Sequence, residues 1–187
     1  MKPMEQIILA ITGATGMLYL EPLLHLLGEQ KAKVHAIISD AGRHVLKLES
    51  GKQPEELPHI ERWFACDDFT APMASGSSLY DAMIILPCTT GTLGAIVSGY
   101  SGNLIHRAAD VSLKERRPLL LAVRETPFNR THLTNMLRAH DAGAIIFPPM
   151  PSFYQKPRNL EEMARHFAGR LCDQIGIRAT GMNRWGN

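Results

Sequence analysis

Short apolar runs rich in β-branched residues alternate along this chain with longer segments whose apolar positions recur every three or four residues. Residues 6–12 form the first run and read as a buried strand. A helix is expected from about Thr15, with Leu20, Leu23, Leu24 and Leu27 on one face and Gly28 as its stop. Residues 33–39 give a second strand, followed by a helix through Leu48. The stretch 51–79 breaks the rhythm: it is rich in Pro, Ser, Gly and charge, with one short helix expected around 55–64. A connection that long inside a compact domain is usually functional or disordered. The order then resumes with a strand at 82–87, helices at 92–98 and 104–116, a strand at 119–123, a helix at 132–142 closed by Gly143, and a short strand at 144–147. Asn159, with Glu162 three residues on, opens a last helix in a capping-box-like arrangement, expected over 159–176.

Strands alternating with helices predict parallel β-α-β units. The expected fold is a three-layer Rossmann-like (flavodoxin-like) α/β domain spanning 1–187, a parallel sheet with helices on both faces. In such sheets ligands bind beyond the carboxyl ends of the strands, so a motif gains weight where it follows a strand.

Composition narrows the picture. Of the 187 residues 45% are hydrophobic and 20% charged, a globular mixture, and a net charge of +2 gives no footprint for nucleic acid. The apolar N-terminal stretch is interrupted by Gly13, Gly16, Glu21 and Pro22 and falls short of a membrane span. The expectation is a soluble cytoplasmic protein without membrane contact. Cys66, Cys88 and Cys172 form no C-x-x-C pair, and the eight histidines show no metal-ligand spacing, so neither disulfide nor metal is expected.

Four segments follow strands. Gly13-Ala14-Thr15-Gly16 allows a tight turn into a helix N-terminus that favours an anion, though a plain strand-to-helix turn reads equally well. Ser39 reads alone as an N-cap. Thr89-Thr90-Gly91-Thr92 offers three hydroxyls and a glycine to a phosphate or ring edge, while the preceding Cys88 reads as a packing residue. Arg124-Glu125 is either a surface ion pair or a phosphate ligand with an acid beside it. Farther from strand ends, Arg107 and Lys114 stand two turns apart on one helix face, within a charge run that reads by default as a solvated surface. The segment 148–154 is stiff and extended and ends on Tyr154, as a core-edge loop or a pocket wall.

Taken in order, the pieces ITGATG, Ser39, LES, APMASGSS, LPCTTGTL, NLIHRAADVSLKERRPLLLAVRETPF, GAIIFPPMPSFY and the terminal RWG resemble the UbiX-type flavin prenyltransferases from residue 6 to about 185. That family transfers a dimethylallyl group from dimethylallyl phosphate to N5 and C6 of reduced FMN, without a metal. The resulting prenylated FMN serves a partner UbiD-type decarboxylase.

The resemblance implies that Gly13, Ala14, Thr15, Ser39, Thr89, Thr90, Gly91, Thr92 and Arg124 hold FMN. It places Arg107, Lys114, Glu125, Tyr154 and Arg170 around the prenyl phosphate, Glu49 beside the flavin as a proton-handling acid, and Phe69 where an aromatic face screens the allylic cation. Three cationic groups and a phenol would neutralise the leaving phosphate, and a Glu125 made more basic by burial would protonate its oxygen. Departures fall at Thr15, where Ser is common, at Met17 and Leu20, where small residues are frequent, and at Phe69, which replaces Trp. The family assembles as homododecamers with active sites at subunit contacts, and segment 51–79 and the last helix are candidate contact regions. Two other readings stay open: an FMN-dependent decarboxylase, against which Pro148-Pro149-Met150-Pro151 lacks the Asn of the usual P-x-M-N motif, and a paralogue that binds flavin without transfer.

Overall fold

A computed structural model describes residues 6–182, 184 and 186. Six strands form one parallel sheet: β1 (Gln6–Ile11), β2 (Lys33–Ile38), β3 (Ile60–Phe64), β4 (Ala82–Cys88), β5 (Leu119–Val123) and β6 (Ile145–Ile146), in the order β3-β2-β1-β4-β5-β6. The helices are α1 (Leu20–Glu29), α2 (Asp40–Ser50), α3 (Thr90–Val97), α4 (Leu104–Lys114), α5 (Arg130–Asp141) and α6 (Leu160–Gln174). The strand order reverses between β1 and β4, which makes their carboxyl ends the topological switch point where a ligand crevice opens.

Period-two alternation sorts each central strand between two cores. In β1, Ile7, Leu9 and Ile11 join the cluster packed by α1 and α6, while Ile8 and Ala10 join the cluster packed by α3, α4 and α5. In β5, Leu120 and Ala122 go to the first cluster, and Leu119, Leu121 and Val123 to the second. Both faces are therefore covered, which is why these strands read as continuous apolar runs rather than as alternation with polar residues. In α1, Leu20, Leu23, Leu24 and Leu27 lie fully buried against the sheet, each contributing about 1.5–3 kcal/mol of burial free energy.

Three expectations are corrected. First, the residues around 55–64 form no helix but the edge strand β3, whose Ile60 and Phe64 pair with Val34 and Ile37 of β2. Second, α1 begins at Leu20 rather than Thr15. Gly16 takes a left-handed φ of 114°, Met17–Tyr19 form a single 3₁₀ turn, and the helix proper follows. Third, Gly28 lies inside α1 instead of ending it. A Cβ there would stand 2.7 Å from the His59 ring, so the glycine is required by the close approach of the loop before β3. In the segment 51–79, two further 3₁₀ turns, Pro54–Glu56 and Pro72–Ala74, flank the edge strand. At α6 the Asn159 side chain accepts from the Glu162 N–H at 2.8 Å, but the Glu162 carboxylate accepts from Arg158 N–H at 2.7 Å, one residue ahead of the cap, so the reciprocal half of a capping box is displaced.

Candidate functional site

The carboxyl ends of β1, β2, β4 and β5 converge on the switch point. Thr12, only 2% exposed, stitches the two central strands together: its hydroxyl donates to Pro87 O at 2.8 Å and accepts from Thr89 N–H at 2.9 Å. Arg124 N–H donates to Cys88 O at 3.0 Å and continues the join to β5. This spine fixes where the predicted ligand groups stand. Gly13 packs so closely on the first turn of α2 that an added Cβ would lie 2.4 Å from that of Ala41. Ala14 and the exposed Thr15 follow it on the loop.

Ser39 caps α2, accepting from Gly42 N–H at 3.0 Å, and Thr89 caps α3, accepting from Thr92 N–H at 3.1 Å and donating to the Thr92 hydroxyl at 2.9 Å. Thr90 and Gly91 open α3 on the crevice side of that cap; beside a Cβ added at Gly91 the nearest atom is the Thr89 hydroxyl at 3.9 Å, so this position is open. The Arg124 side chain is exposed at the rim. Two helix N-termini, a glycine turn, several hydroxyls and one guanidinium thus meet at one edge.

Glu49 comes into this site from the far end of α2. Its carboxylate accepts from Gly16 N–H at 3.0 Å and Met17 N–H at 2.8 Å, so it caps the turn that leads into α1. Nothing in the local sequence announces that contact, because it joins residues 32 and 33 positions apart. Cys88 is excluded as a nucleophile: it is fully buried, and burial pushes its thiol up to about 12. Met17 and Leu20, the departures from the family pattern, are 3% and 0% exposed and point into the core of the α1 face. Their size is accommodated by packing and not at the crevice.

The second residue group is divided. Arg107 and Lys114 both face the segment 72–78. Arg107 donates to Ala74 O at 3.0 Å and to Asp110 at 2.9 Å, and Lys114 pairs with Glu115 beside Gly76. Seven residues of helix separate them along the axis by about 10 Å. Glu125, half-buried after β5, accepts from the backbone N–H of Thr126 at 3.0 Å. Phe69 is exposed in the loop after β3. Tyr154 and Arg170 do come together, in a cavity of about 570 Å³ between the extended segment 147–155, one face of α6 and the chain after it. Asp173, Met182 and Arg184 also line this cavity and were not singled out from the sequence. Trp185, in the terminal RWG, lies outside the described residues. Among the described residues no group of three or more His, Cys, Asp or Glu is arranged to hold a metal ion, and no helix is long and apolar enough to cross a membrane.

A doubly wound sheet with a hydroxyl-rimmed, anion-favouring crevice at its switch point defines a nucleotide-binding α/β protein. The model of the family described as Flavoprotein matches residues 1–165. The flavin prenyltransferase UbiX of Methanothermobacter thermautotrophicus is 45% identical over 186 residues, spanning 99% of this chain and 97% of the relative. A crystal structure of AnUbiX in complex with FMN and dimethylallyl pyrophosphate superposes with a TM-score of 0.95 at 38% identity, covering 98% of each chain. A dodecameric FMN-dependent UbiX-like decarboxylase from Escherichia coli O157:H7 gives a TM-score of 0.92 at 34% identity, over 97% of this chain and all of that one. The chain belongs to the Flavoprotein family and, within it, to the UbiX-type flavin prenyltransferases.

Proposed function

We propose that the protein transfers a dimethylallyl group from dimethylallyl phosphate to reduced FMN, releasing phosphate and leaving prenylated FMN for a UbiD-type decarboxylase. The observation that carries this reading is the presence, on one member of this family, of two separate polar sites: a hydroxyl-rich crevice at the switch point and an arginine–tyrosine cavity beside α6.

The crevice residues fit FMN. A phosphate monoester suits the N-termini of α2 and α3 and the Arg124 guanidinium, and the Thr89–Thr92 hydroxyls and loop N–H groups suit the polar edges of a flavin ring. Reduced FMN supplies the electron-rich ring atoms that accept the prenyl group. The chain's own part is to hold charge and protons in place. Arg107, Lys114 and Arg170 neutralise the phosphate dianion, and the Tyr154 hydroxyl donates to it. Glu125 hands a proton to the leaving oxygen, so charge does not accumulate as the allylic C–O bond breaks. The exposed ring of Phe69 offers a π-face to positive charge. Glu49, with both oxygens turned to the N–H groups of the glycine turn, keeps a proton acceptor at the crevice mouth.

Arg107 and Lys114 lie along α4, against a different wall from Tyr154 and Arg170. We therefore place the complete prenyl-phosphate site between subunits of a homo-oligomer, a dodecamer by kinship, with each chain acting as one folded unit. The expectation of a cytoplasmic enzyme is checked by cell fractionation.

The test is anaerobic incubation of the protein with reduced FMN and dimethylallyl phosphate, followed by mass spectrometry of the released flavin. A gain of one prenyl unit is the expected outcome. Unchanged flavin would sink the proposal and favour a decarboxylase or a flavin carrier.

A further inference from the structure

The wall of the Tyr154–Arg170 cavity that follows α6 is irregular chain held by several tertiary contacts. After α6 the chain turns back, buries Ile177 and Ala179, and ties Thr180 Oγ1 to Glu29 at 3.1 Å. Met182 lies directly over Gly169, where an added Cβ would stand 2.4 Å from its terminal methyl; the glycine in α6 makes room for it. Two residues on, Arg184 reaches Asp173 with both terminal nitrogens, Nη1 at 2.9 Å and Nη2 at 2.8 Å. The same Asp173 carboxylate accepts from Arg170 Nη1 at 3.3 Å. Its side chain is 15% exposed, against 53% for Arg170 and 40% for Arg184, so a largely covered acid sits beneath two partly solvated guanidinia.

We infer that Asp173 is a positioning residue that presents two arginines, Arg170 and Arg184, to the phosphate of the prenyl donor, with Arg184 a second phosphate-binding group of the cavity. The inference rests on the prenyl-transfer reading above. Three facts support it. The two arginines and the acid carry a net positive charge, so the cluster still attracts a dianion. A free arginine loses rotamer freedom when it is fixed, and the two-pronged contact to Asp173 holds the fork of Arg184 in advance. Both arginines line the same cavity as Tyr154, so an oxyanion there meets donors able to form charge-assisted hydrogen bonds. A rival role for Asp173, simple neutralisation of surplus positive charge, makes the opposite forecast: removing its charge would tighten phosphate binding.

The experiment is calorimetric titration of dimethylallyl phosphate into the full-length protein loaded with oxidised FMN, so that binding is read without turnover. Asp173→Asn and Arg184→Gln should each weaken binding about tenfold, the loss of a charge-assisted contact. The double variant should lose less than the hundredfold that two independent tenfold losses would give, because the Arg184–Asp173 contact is removed in both single variants. FMN affinity and melting temperature should hold in all three. Unchanged or tighter binding by Asp173→Asn, unchanged binding by Arg184→Gln, or parallel loss of FMN and thermal stability overturns the assignment. A wild-type protein that binds FMN but neither binds nor consumes the prenyl phosphate overturns the underlying reading as well. A wild type that transfers the prenyl group with variants that bind as tightly as it does overturns this inference alone.

Discussion

The crevice at the switch point and the cavity beside α6 are built on opposite plans. In the crevice, polar groups sit at the ends of buried strands and are held by short-range caps and by the Thr12 hydroxyl, so little remains to be ordered when a ligand arrives. In the cavity, Tyr154 and Arg170 are both exposed, they come from an extended segment and a helix face, and their wall is the returning chain with its Arg184–Asp173 clasp. The difference suggests a division of labour. A cofactor that stays through a reaction suits a rigid cradle, whereas a donor that arrives charged and leaves as phosphate suits a site whose charges are held on longer, solvated arms.

Altering the rigid half should have the larger effect. Gly13→Val places a branched side chain against Ala41, where even a Cβ lies 2.4 Å away. It should destabilise the fold by about 3 kcal/mol and abolish FMN retention, read from denaturant unfolding and the flavin absorbance of purified protein. Thr12→Val leaves Pro87 O and Thr89 N–H without the buried hydroxyl that serves both. A loss of about 2 kcal/mol is expected, with weaker FMN binding in the same titration. Stability and FMN affinity both unchanged would show that the crevice is not preorganised through this spine. In the flexible half, Tyr154→Phe should lower kcat/KM for the prenyl donor about tenfold and leave FMN binding and the melting temperature alone. Loss of FMN would erase the distinction between the two sites.

The smallest expected effect is one of pH, outside both sites. His35 on β2 is held below its ordinary value of 6.5, chiefly by burial and with smaller contributions from Arg62 and Lys33, while Glu61 pulls the other way. Its Nδ1 pairs with the Tyr80 hydroxyl at 2.7 Å, and burial pushes that phenol up to about 12. The folded protein therefore binds the His35 proton less readily than the unfolded chain does. Stability should be full above pH 6.5 and fall as pH drops below it. Thermal melts of His35→Gln over the same range should be flatter than those of the wild type.

The sequence was most legible where chemistry is local. The helix caps at Ser39 and Asn159 sit at a strand end and ahead of an apolar stripe, and their partners lie three residues away. The edge strand β3 was not legible. Its five residues include the charged Glu61 and Arg62, which an edge tolerates, so no apolar run or alternation marked it as a strand. Gly28 misled for a similar reason: a glycine demanded by a distant histidine looks the same in sequence as one demanded by a helix end. Glu49 entered only through kinship, since its contacts with Gly16 and Met17 are tertiary. Asp173 was not singled out, and Arg184 entered only within the terminal RWG, because their pairing joins residues 11 positions apart.

The single hydroxyl of Thr12 has a consequence for how this protein can change. It joins the residue that follows β1 to the end of β4 and the start of α3, beneath the ligand crevice. A substitution there is felt at once by the fold and by the ligand, so neither can drift independently of the other at that position. Surface arginines and tyrosines around α6 carry no such double obligation. Diversification of donor preference within this architecture should therefore begin on α6 and the chain that follows it, while the threonine beneath the crevice stays as it is.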